Sequence, residues 1–389
     1  MTTRKVLVSA LSLGVVFALR AADTGGSNAA ADLAGTWSVA GDGVNAKVTL
    51  PGTLAEEGLG HQWTRGEFER TLDKPQSGAL TREYQYLGKA VYSRDFKVSA
   101  EDAGTERELF LERVMWVSEA KVDGKSLGSC DSLGTPHVYA LGRLAAGTHR
   151  LEILVDNSVR HGFSRHAHSY GPSMQSVWHG IIGRIELRAK NPLDAIRVKA
   201  SADGKIELRN VPVGCKPKVK VSGLDLAAGE KPVLWSDSDP RLYTLELSDG
   251  ENIRRLKIGF RTFEAGKHLI RLNGHDIFTR ANVENCNFAK KGQPWMTKAE
   301  WVQMFRTLKE EDGVNTFRFH TWCPPEAAFA AADDVGVFLQ PEVGIWTDGW
   351  MSPEPDAVGY GKSVDGFIRR ESRAIMDAYG HHPSFLSLC

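Results

Sequence analysis

The sequence predicts a multidomain protein of the β plus α/β class, in which two β-sandwiches precede the first half of a (β/α)8 barrel. Three observations predict this order. Short alternating segments between Gly, Asp and Asn turns run from about residue 33 to 188, and a smaller β module follows to about residue 262. Helical patterns then alternate with apolar strands, and those later strands carry polar residues near their C-terminal ends. The 389 residues leave room for two or three domains.

The N-terminus has the pattern of a secretory signal peptide. Arg4 and Lys5 precede an apolar stretch, residues 6–19, which is followed by the small residues Ala21 and Ala22. The stretch is shorter than the ~20 residues that a membrane-spanning helix needs. We therefore expect residues 1–22 to be removed, the protein to be secreted or periplasmic, and no insertion into a membrane.

Two β modules are predicted next. The first runs from about residue 33 to 188, and its alternating segments predict strands at 90–98, 108–111, 119–122, 150–155 and 183–187. The second, residues 191–262, is smaller. Its Cys215 has no Trp-centred cysteine partner, so the disulfide of antibody domains is not expected.

Three helices are predicted after residue 290. Thr297 and Glu300 have capping-box spacing, and Gly313 is a stop signal for a helix with an apolar face of Trp301, Met304, Phe305 and Leu308. The second helix, Glu326–Val335, lies between Pro324-Pro325 and Gly336. The third, Ser363–Tyr379, ends before Gly380 and has Ile368, Ile375, Met376 and Tyr379 on one face.

The helices connect segments that are predicted to be parallel strands, at 276–284, 314–322 and 336–342, and a fourth strand is expected to begin at Phe385. Side chains alternate between the faces of a strand. Polar residues therefore share one face of each strand: Arg280, Asn282 and Glu284 on the first, Arg318, His320 and Trp322 on the second, and Gln340 and Glu342 on the third. Barrel enzymes place their active sites at this end of the strands.

These side chains are the candidate site, and each has an alternative role. Arg318 and His320 can bind sugar hydroxyls, or can belong to a structural polar network. Glu284 and Glu342 can bind hydroxyls, or can form ion pairs with Arg280 or Arg318. Three indoles, Trp322, Trp346 and Trp350, can stack on a sugar ring or pack in the core.

Several motifs resemble those of glycoside hydrolase family 2, the family of β-galactosidases, β-glucuronidases and β-mannosidases. The motifs are Trp235 with Asp239-Pro240-Arg241-Leu242-Tyr243, Ile258-Gly259-Phe260-Arg261-Thr262-Phe263, Leu272-Asn273-Gly274, His382-Pro383-Ser384-Phe385 and, in the first module, Leu50-Pro51-Gly52-Thr53, Tyr92–Phe96, Val122-Asp123-Gly124 and Trp178–Gly183. The resemblance covers most of the chain after residue 35.

The resemblance implies a jelly-roll sugar-binding domain at 23–190, an immunoglobulin-like domain at 191–262 and a TIM-barrel catalytic domain from 263 that is cut at 389. It also implies that Arg318, His320, Glu342, Glu284, Trp346 and Trp322 lie near the subsite for the terminal sugar. The general acid/base Glu and the nucleophilic Glu are expected after Cys389, so no catalytic residue is assigned within the chain. One departure concerns the turn after the first strand, where Asn282–Cys286 replaces the His-rich turn of some galactosidases.

Composition excludes several other classes. Lys+Arg and Asp+Glu each number 48, so nothing in the charge balance suggests nucleic acid as a partner. The five cysteines are scattered without CxxC spacing, and phosphate-binding and serine-hydrolase motifs are missing. His161, His166, His168 and His179 cluster in the sequence, but a loop at the barrel mouth is favoured over a metal site. No cofactor or metal is expected.

The sequence therefore predicts the front part of a secreted, exo-acting glycoside hydrolase that uses the retaining two-carboxylate mechanism on a β-linked glycoside or oligosaccharide. β-Galactoside is the first-choice substrate, ahead of β-glucuronide and β-mannoside. The chain alone is expected to be inactive. The alternative is a noncatalytic carbohydrate-binding protein in which the jelly-roll domain carries the function.

Overall fold

The computed structural model describes residues 30–62, 83–160, 167–171, 177–226, 228–288, 291–346 and 363–389. The predicted signal peptide and Trp350 lie outside these residues, as do His161 and His166. Among the described helices, none is long and apolar enough to cross a membrane.

The described residues between 31 and 189 form an antiparallel two-sheet module, here called the N-terminal sandwich. One sheet has, in spatial order, the strands Lys125–Cys130, Val117–Val122, Gly147–Asp156, Lys89–Val98, Gly35–Gly41 and Val44–Leu50. The other has Ala31–Asp32, Gly180–Ala189, Glu106–Met115 and His137–Arg143, with Gly52–Thr53 also paired to Gly180–Ala189. A separate short pair joins His61–Gln62 to Tyr84–Gln85.

The core of the sandwich is filled from both sheets. Trp37, Tyr92 and Ile153 extend from the first sheet and meet Leu109 and Ile185 of the second, and all five are almost fully buried. Their neighbours along each strand are mostly polar and more exposed, as expected of a sheet with one solvated face. The prediction of a β-sandwich is confirmed, whereas its jelly-roll topology stays a prediction.

Residues 191–262 form a second β module with its own core. A short 3-10 helix, Pro192–Ala195, precedes two small antiparallel sheets, with strands Arg197–Ala200 and Ile206–Arg209 in one, and Lys218–Val221, Tyr243–Ser248 and Ile253–Ile258 in the other. Leu193, Leu245 and Phe260 are buried between them. Cys215 is a free thiol, as are the other four cysteines. The immunoglobulin-like topology stays a prediction.

The segment predicted as one strand at 276–284 is two different elements, and this prediction is wrong. His275–Ile277 closes an antiparallel sheet with Phe263–Ala265 and Ile270–Leu272, because Asn273 and Gly274 adopt positive φ and turn the chain. The parallel strand is only Ala281–Glu284.

The three predicted helices are present: α1 is Lys298–Asp312, α2 is Glu326–Val335 and α3 is Ser363–Tyr379. Gly313 and Gly336 end α1 and α2 in the left-handed conformation, as their positions predict. The capping box is not formed, because the Thr297 hydroxyl donates to the Glu300 carboxylate instead of accepting from the backbone. Met376 is also misplaced by the prediction, since it is 44% exposed.

The parallel strands Ala281–Glu284, Thr316–Phe319 and Phe338–Gln340 lie side by side in that order, and α1 and α2 connect them. Phe317, Phe319 and Leu339 are buried against the helices. Phe385 forms a single parallel bridge with Leu339 rather than the expected fourth strand. Half of a (β/α)8 barrel is compatible with this arrangement, and the barrel itself stays a prediction.

Candidate functional site

An ion pair joins the ends of the second and third parallel strands. The Nε atom of Arg318 lies 2.6 Å from Oε1 of Glu342, and the second carboxylate oxygen of Glu342 accepts from the backbone N–H of Thr321 at 2.8 Å. Glu342 is nearly buried, whereas 40% of the Arg318 side chain is exposed. Of the two roles predicted for these residues, the structure shows the ion pair, in which Glu342 orients a guanidinium whose outer nitrogens make no hydrogen bond to another described residue. The sugar-binding role stays a prediction.

His320 follows on the same strand end. Its ring lies edge-on to Trp346, with 5.3 Å between the ring centroids, and its nitrogens make no hydrogen bond to a described side chain. Burial lowers the pKa of His320, Glu342 opposes this shift, and Arg318 adds to it. A neutral imidazole can both donate and accept a hydrogen bond, which suits a hydroxyl partner.

Glu284 does not lie where its sequence position predicts. The parallel register pairs Val283 with Arg318 and Glu284 with Phe319, so Glu284 and Arg318 are on opposite faces of the sheet. The Glu284 carboxylate instead accepts from the backbone N–H groups of Cys286 and Asn287 in the following turn. Burial outweighs these bonds and raises the pKa of Glu284 to about 7.

Trp322 is also misplaced by the strand pattern. The strand ends at Phe319, and Thr321 adopts a left-handed conformation with φ of 57°, so the alternation stops before Trp322. The Trp322 ring is 3% exposed and packs edge-on against Phe288 and Phe319. Its indole N–H donates to the Glu284 carbonyl. Of the two roles considered for Trp322, the structure shows core packing.

A loop of the N-terminal sandwich, residues 167–171, reaches this site. The backbone N–H of His168 donates to the Thr321 hydroxyl at 2.7 Å, and the His168 and His320 rings are 5.1 Å apart. The Tyr170 hydroxyl accepts a hydrogen bond from the backbone N–H of Trp346 at 3.4 Å. His168 belongs to the histidine cluster seen in the sequence, but nothing in the sequence shows which strand the loop meets.

The remaining described histidine of that cluster has a structural role. His179 is buried in the sandwich, where Nδ1 hydrogen-bonds the Tyr92 hydroxyl at 2.9 Å. No group of three or more potential metal ligands occurs within the described residues. The exposed guanidinium of Arg318 can donate hydrogen bonds to a polar ligand.

Comparisons with known proteins identify glycosidases among the proteins that this chain resembles. No family model matches the chain. A β-galactosidase of Halalkalibacterium halodurans is 25% identical over 169 residues, which is 40% of this chain and 16% of that protein. A β-galactosidase of Priestia megaterium is 27% identical over 170 residues, again 16% of its length. The chain thus matches only a small part of these relatives.

Solved structures share the fold over almost the whole chain. A GH2 β-galacturonidase from Eisenbergiella tayi, bound to galacturonate, has a TM-score of 0.65 at 18% identity and covers 93% of this chain and 65% of its own. A β-glucuronidase from an uncultured Clostridium sp. has a TM-score of 0.68 at 15% identity, covering 94% of this chain and 67% of its own. Together with the sequence relatives, these confirm the resemblance to glycoside hydrolase family 2, whose members are hydrolases.

Proposed function

We propose that the chain belongs to an exo-acting retaining glycoside hydrolase that acts on a β-galactoside. The observation that carries the proposal is the exposed guanidinium of Arg318, held by Glu342 near the ring of His320 at the ends of adjacent strands. Fixed donors beside an imidazole suit sugar hydroxyls. Trp346, next to His320, offers an aromatic surface for the sugar ring.

The chemistry needs two carboxyl groups about 5–5.5 Å apart, one to protonate the leaving oxygen and one to attack the anomeric carbon. Glu342 is engaged by Arg318 and by the Thr321 N–H, and Glu284 lies on the opposite face of the sheet. Neither is available as a member of that pair. We therefore expect the catalytic carboxylates to be residues other than these two, and we propose a binding role for Arg318 and His320.

Two alternative functions can be tested in the same experiments. The solved relatives include a galacturonidase and a glucuronidase, which makes a β-uronide the second candidate substrate. A noncatalytic sugar-binding protein is the other alternative. The coding sequence beyond codon 389 separates the classes, since an enzyme requires that it continue into the two catalytic carboxylates.

The test uses aryl β-galactoside, β-glucuronide, β-galacturonide and β-mannoside, with the 389-residue chain and with any longer product of the reading frame. We expect no turnover by the short chain and preferred turnover of the galactoside by the longer one. In the longer protein, His320→Ala should lower kcat/KM at least about tenfold with little change in Tm, because its partner is the sugar. Equal losses of folding and activity would contradict a binding role, and turnover by the short chain would show that the catalytic pair lies within it.

A further inference from the structure

The sandwich loop Ala167–Gly171 is fixed to its own module before it reaches the candidate site. Ala167 and Tyr170 are fully buried, the Tyr170 ring stacks on Trp116 with 4.7 Å between centroids, and the Gly171 N–H donates to the Ala167 carbonyl at 2.8 Å. Packing of this kind restricts the loop to one conformation. The loop can therefore act as a rigid support.

The loop contacts a turn of the site, at Thr321, whose backbone has an unfavourable conformation. Thr321 is β-branched and has φ of 57°, a region that such residues rarely adopt. Two contacts hold it there: its N–H donates to Glu342, and its hydroxyl accepts from the His168 N–H. One support thus comes from the neighbouring strand and the other from the sandwich.

The imidazole of His168 makes a third contact. The His320 ring contacts two other rings, with His168 at 5.1 Å and Trp346 at 5.3 Å between centroids. Each ring contact restricts the rotamers of the imidazole, which limits the directions in which its nitrogens can meet a ligand.

We propose that His168 is a positioning residue of the candidate site, which holds the His320 ring and the Thr321 turn in the orientation that binds a sugar. The inference rests on the proposed function and deepens it, because it makes the site a composite of the sandwich and the parallel strands. Through these contacts, a module that lacks the strand-end residues would influence the binding of the ligand.

The first test needs no ligand and no turnover. Among the described residues, Arg318 and Glu342 are the charged groups that act on the two rings. Burial, with the His320 ring as the second cause, lowers the pKa of His168 to about 4. In the chain, NMR titration of His168 should show an upward shift of its pKa in His320→Phe, because the like charge is removed while an aromatic ring remains. An unchanged His168 titration would overturn the positioning role.

The second test measures sugar binding by the chain, with galactose and glucuronic acid as probes. His168→Ala should weaken galactose binding at least about tenfold, and His168→Phe should recover part of the loss because it restores the ring contact. The matched control is His268→Ala, which removes an exposed histidine from the turn beside strand Ile270–Leu272 and should change nothing.

The outcomes separate the two proposals. Binding that is unchanged in His168→Ala, with the fold intact, overturns the positioning role but leaves the proposed function standing. If the unaltered chain binds neither sugar, the proposed sugar site loses its support, and the His168 titration decides the positioning role by itself. Equal losses in His168→Ala and His168→Phe would also overturn it, since the ring contact would then have no effect.

Discussion

At the scale of single residues, burial decides the charge of Glu284. The carboxyl accepts two backbone hydrogen bonds, which favour the ionised form, but the loss of water is the larger effect and raises its pKa to about 7. A carboxyl whose pKa is higher in the folded protein than its usual 4.5 stabilises the fold below that value. This contribution is lost as the pH rises from 4.5 through about 7.

We therefore expect the free energy of unfolding to fall by about 2 kcal/mol between pH 5 and pH 8 from this group. Glu284→Gln should remove most of that slope, because an amide does not ionise. Denaturant unfolding at four pH values measures it. Glu300→Gln, which changes a partly exposed carboxyl of α1, is the control and should keep the slope. If the free energy of unfolding depends on pH in the same way in Glu284→Gln as in the unaltered chain, ionisation of Glu284 does not destabilise the fold.

At the scale of elements, the family-like motifs around residues 235, 259 and 382 meet at one place. Trp235 donates its indole N–H to the backbone carbonyl of Asp333 in α2. Gly259 lies so close to Trp235 and Pro383 that a Cβ atom at this position would clash with both. Arg261 donates to the Phe385 carbonyl at 2.9 Å. These motifs therefore join the second β module to the parallel strands and have a structural role.

His382 and Asp333 are the buried ion pair of this junction, 2.6 Å apart, and the other Asp333 oxygen accepts from the Ser384 N–H. Burial opposes a charge on His382, but the Asp333 carboxylate outweighs it and raises the pKa of His382. The pair therefore contributes its full stability below pH 6.5 and loses it as the pH rises through the raised pKa.

Asp333→Ala should lower the free energy of unfolding by about 3–5 kcal/mol at pH 6, because it leaves the buried His382 without its partner. Ser384→Ala is the matched control: its hydroxyl makes only a long bond of 3.4 Å to the Phe329 carbonyl, so about 0.5 kcal/mol is expected. Chemical denaturation checks both variants. If Asp333→Ala and Ser384→Ala lower the free energy of unfolding by similar amounts, the ion pair is not the main source of stability at this junction.

At the scale of the whole molecule, α3 is attached to the N-terminal sandwich through a carboxylate. One Glu371 oxygen accepts from the N–H groups of Leu133 and Gly134 at 2.9 and 2.6 Å, and the Tyr379 hydroxyl donates to the Gly134 carbonyl. A Cβ atom at position 134 would lie 3.0 Å from Cys323 and from Glu371, which is closer than side chains usually pack, so glycine suits this close approach of the loop to α3. This contact helps to fix the sandwich that carries His168.

Glu371→Ala should lower the free energy of unfolding by about 2–4 kcal/mol, because two buried N–H groups lose their acceptor. Hydrogen exchange at Leu133 and Gly134 should become faster than in the unaltered chain. Arg370→Ala is the matched control, since it removes an exposed ion pair with Asp131 in the same loop and should cost about 0–1 kcal/mol. Unchanged exchange in Glu371→Ala would contradict the proposed attachment.

Export is a property of the whole chain and stays a prediction. We expect the protein produced in a Gram-negative host to begin near Asp23, with loss of about the first 22 residues, because basic, apolar and small residues follow each other as in a signal peptide. Intact mass spectrometry of the periplasmic fraction checks this. A soluble cytoplasmic product that keeps Met1 would exclude it.

The sequence by itself determined the elements whose limits depend on local chemistry. Pro325 and Gly336 bound α2 where predicted, Gly313 ends α1, and the sandwich strands follow their alternating patterns. The spacing of Arg318 and His320, two positions apart, also predicted that both lie near one strand end, and the strand Thr316–Phe319 ends between them. Backbone dihedral preferences and side-chain periodicity act over a few residues, so they can be read directly.

Only the tertiary structure decided which side chains share the site. The register between two strands separated by α1 paired Glu284 with Phe319 and so put it on the other face of the sheet from Arg318, and a left-handed Thr321 turned Trp322 into the core. His168 reaches Thr321 from 153 positions away in the sequence. Register, turn strain and contacts between modules depend on hydrogen bonds and packing over the whole molecule, which no local pattern encodes.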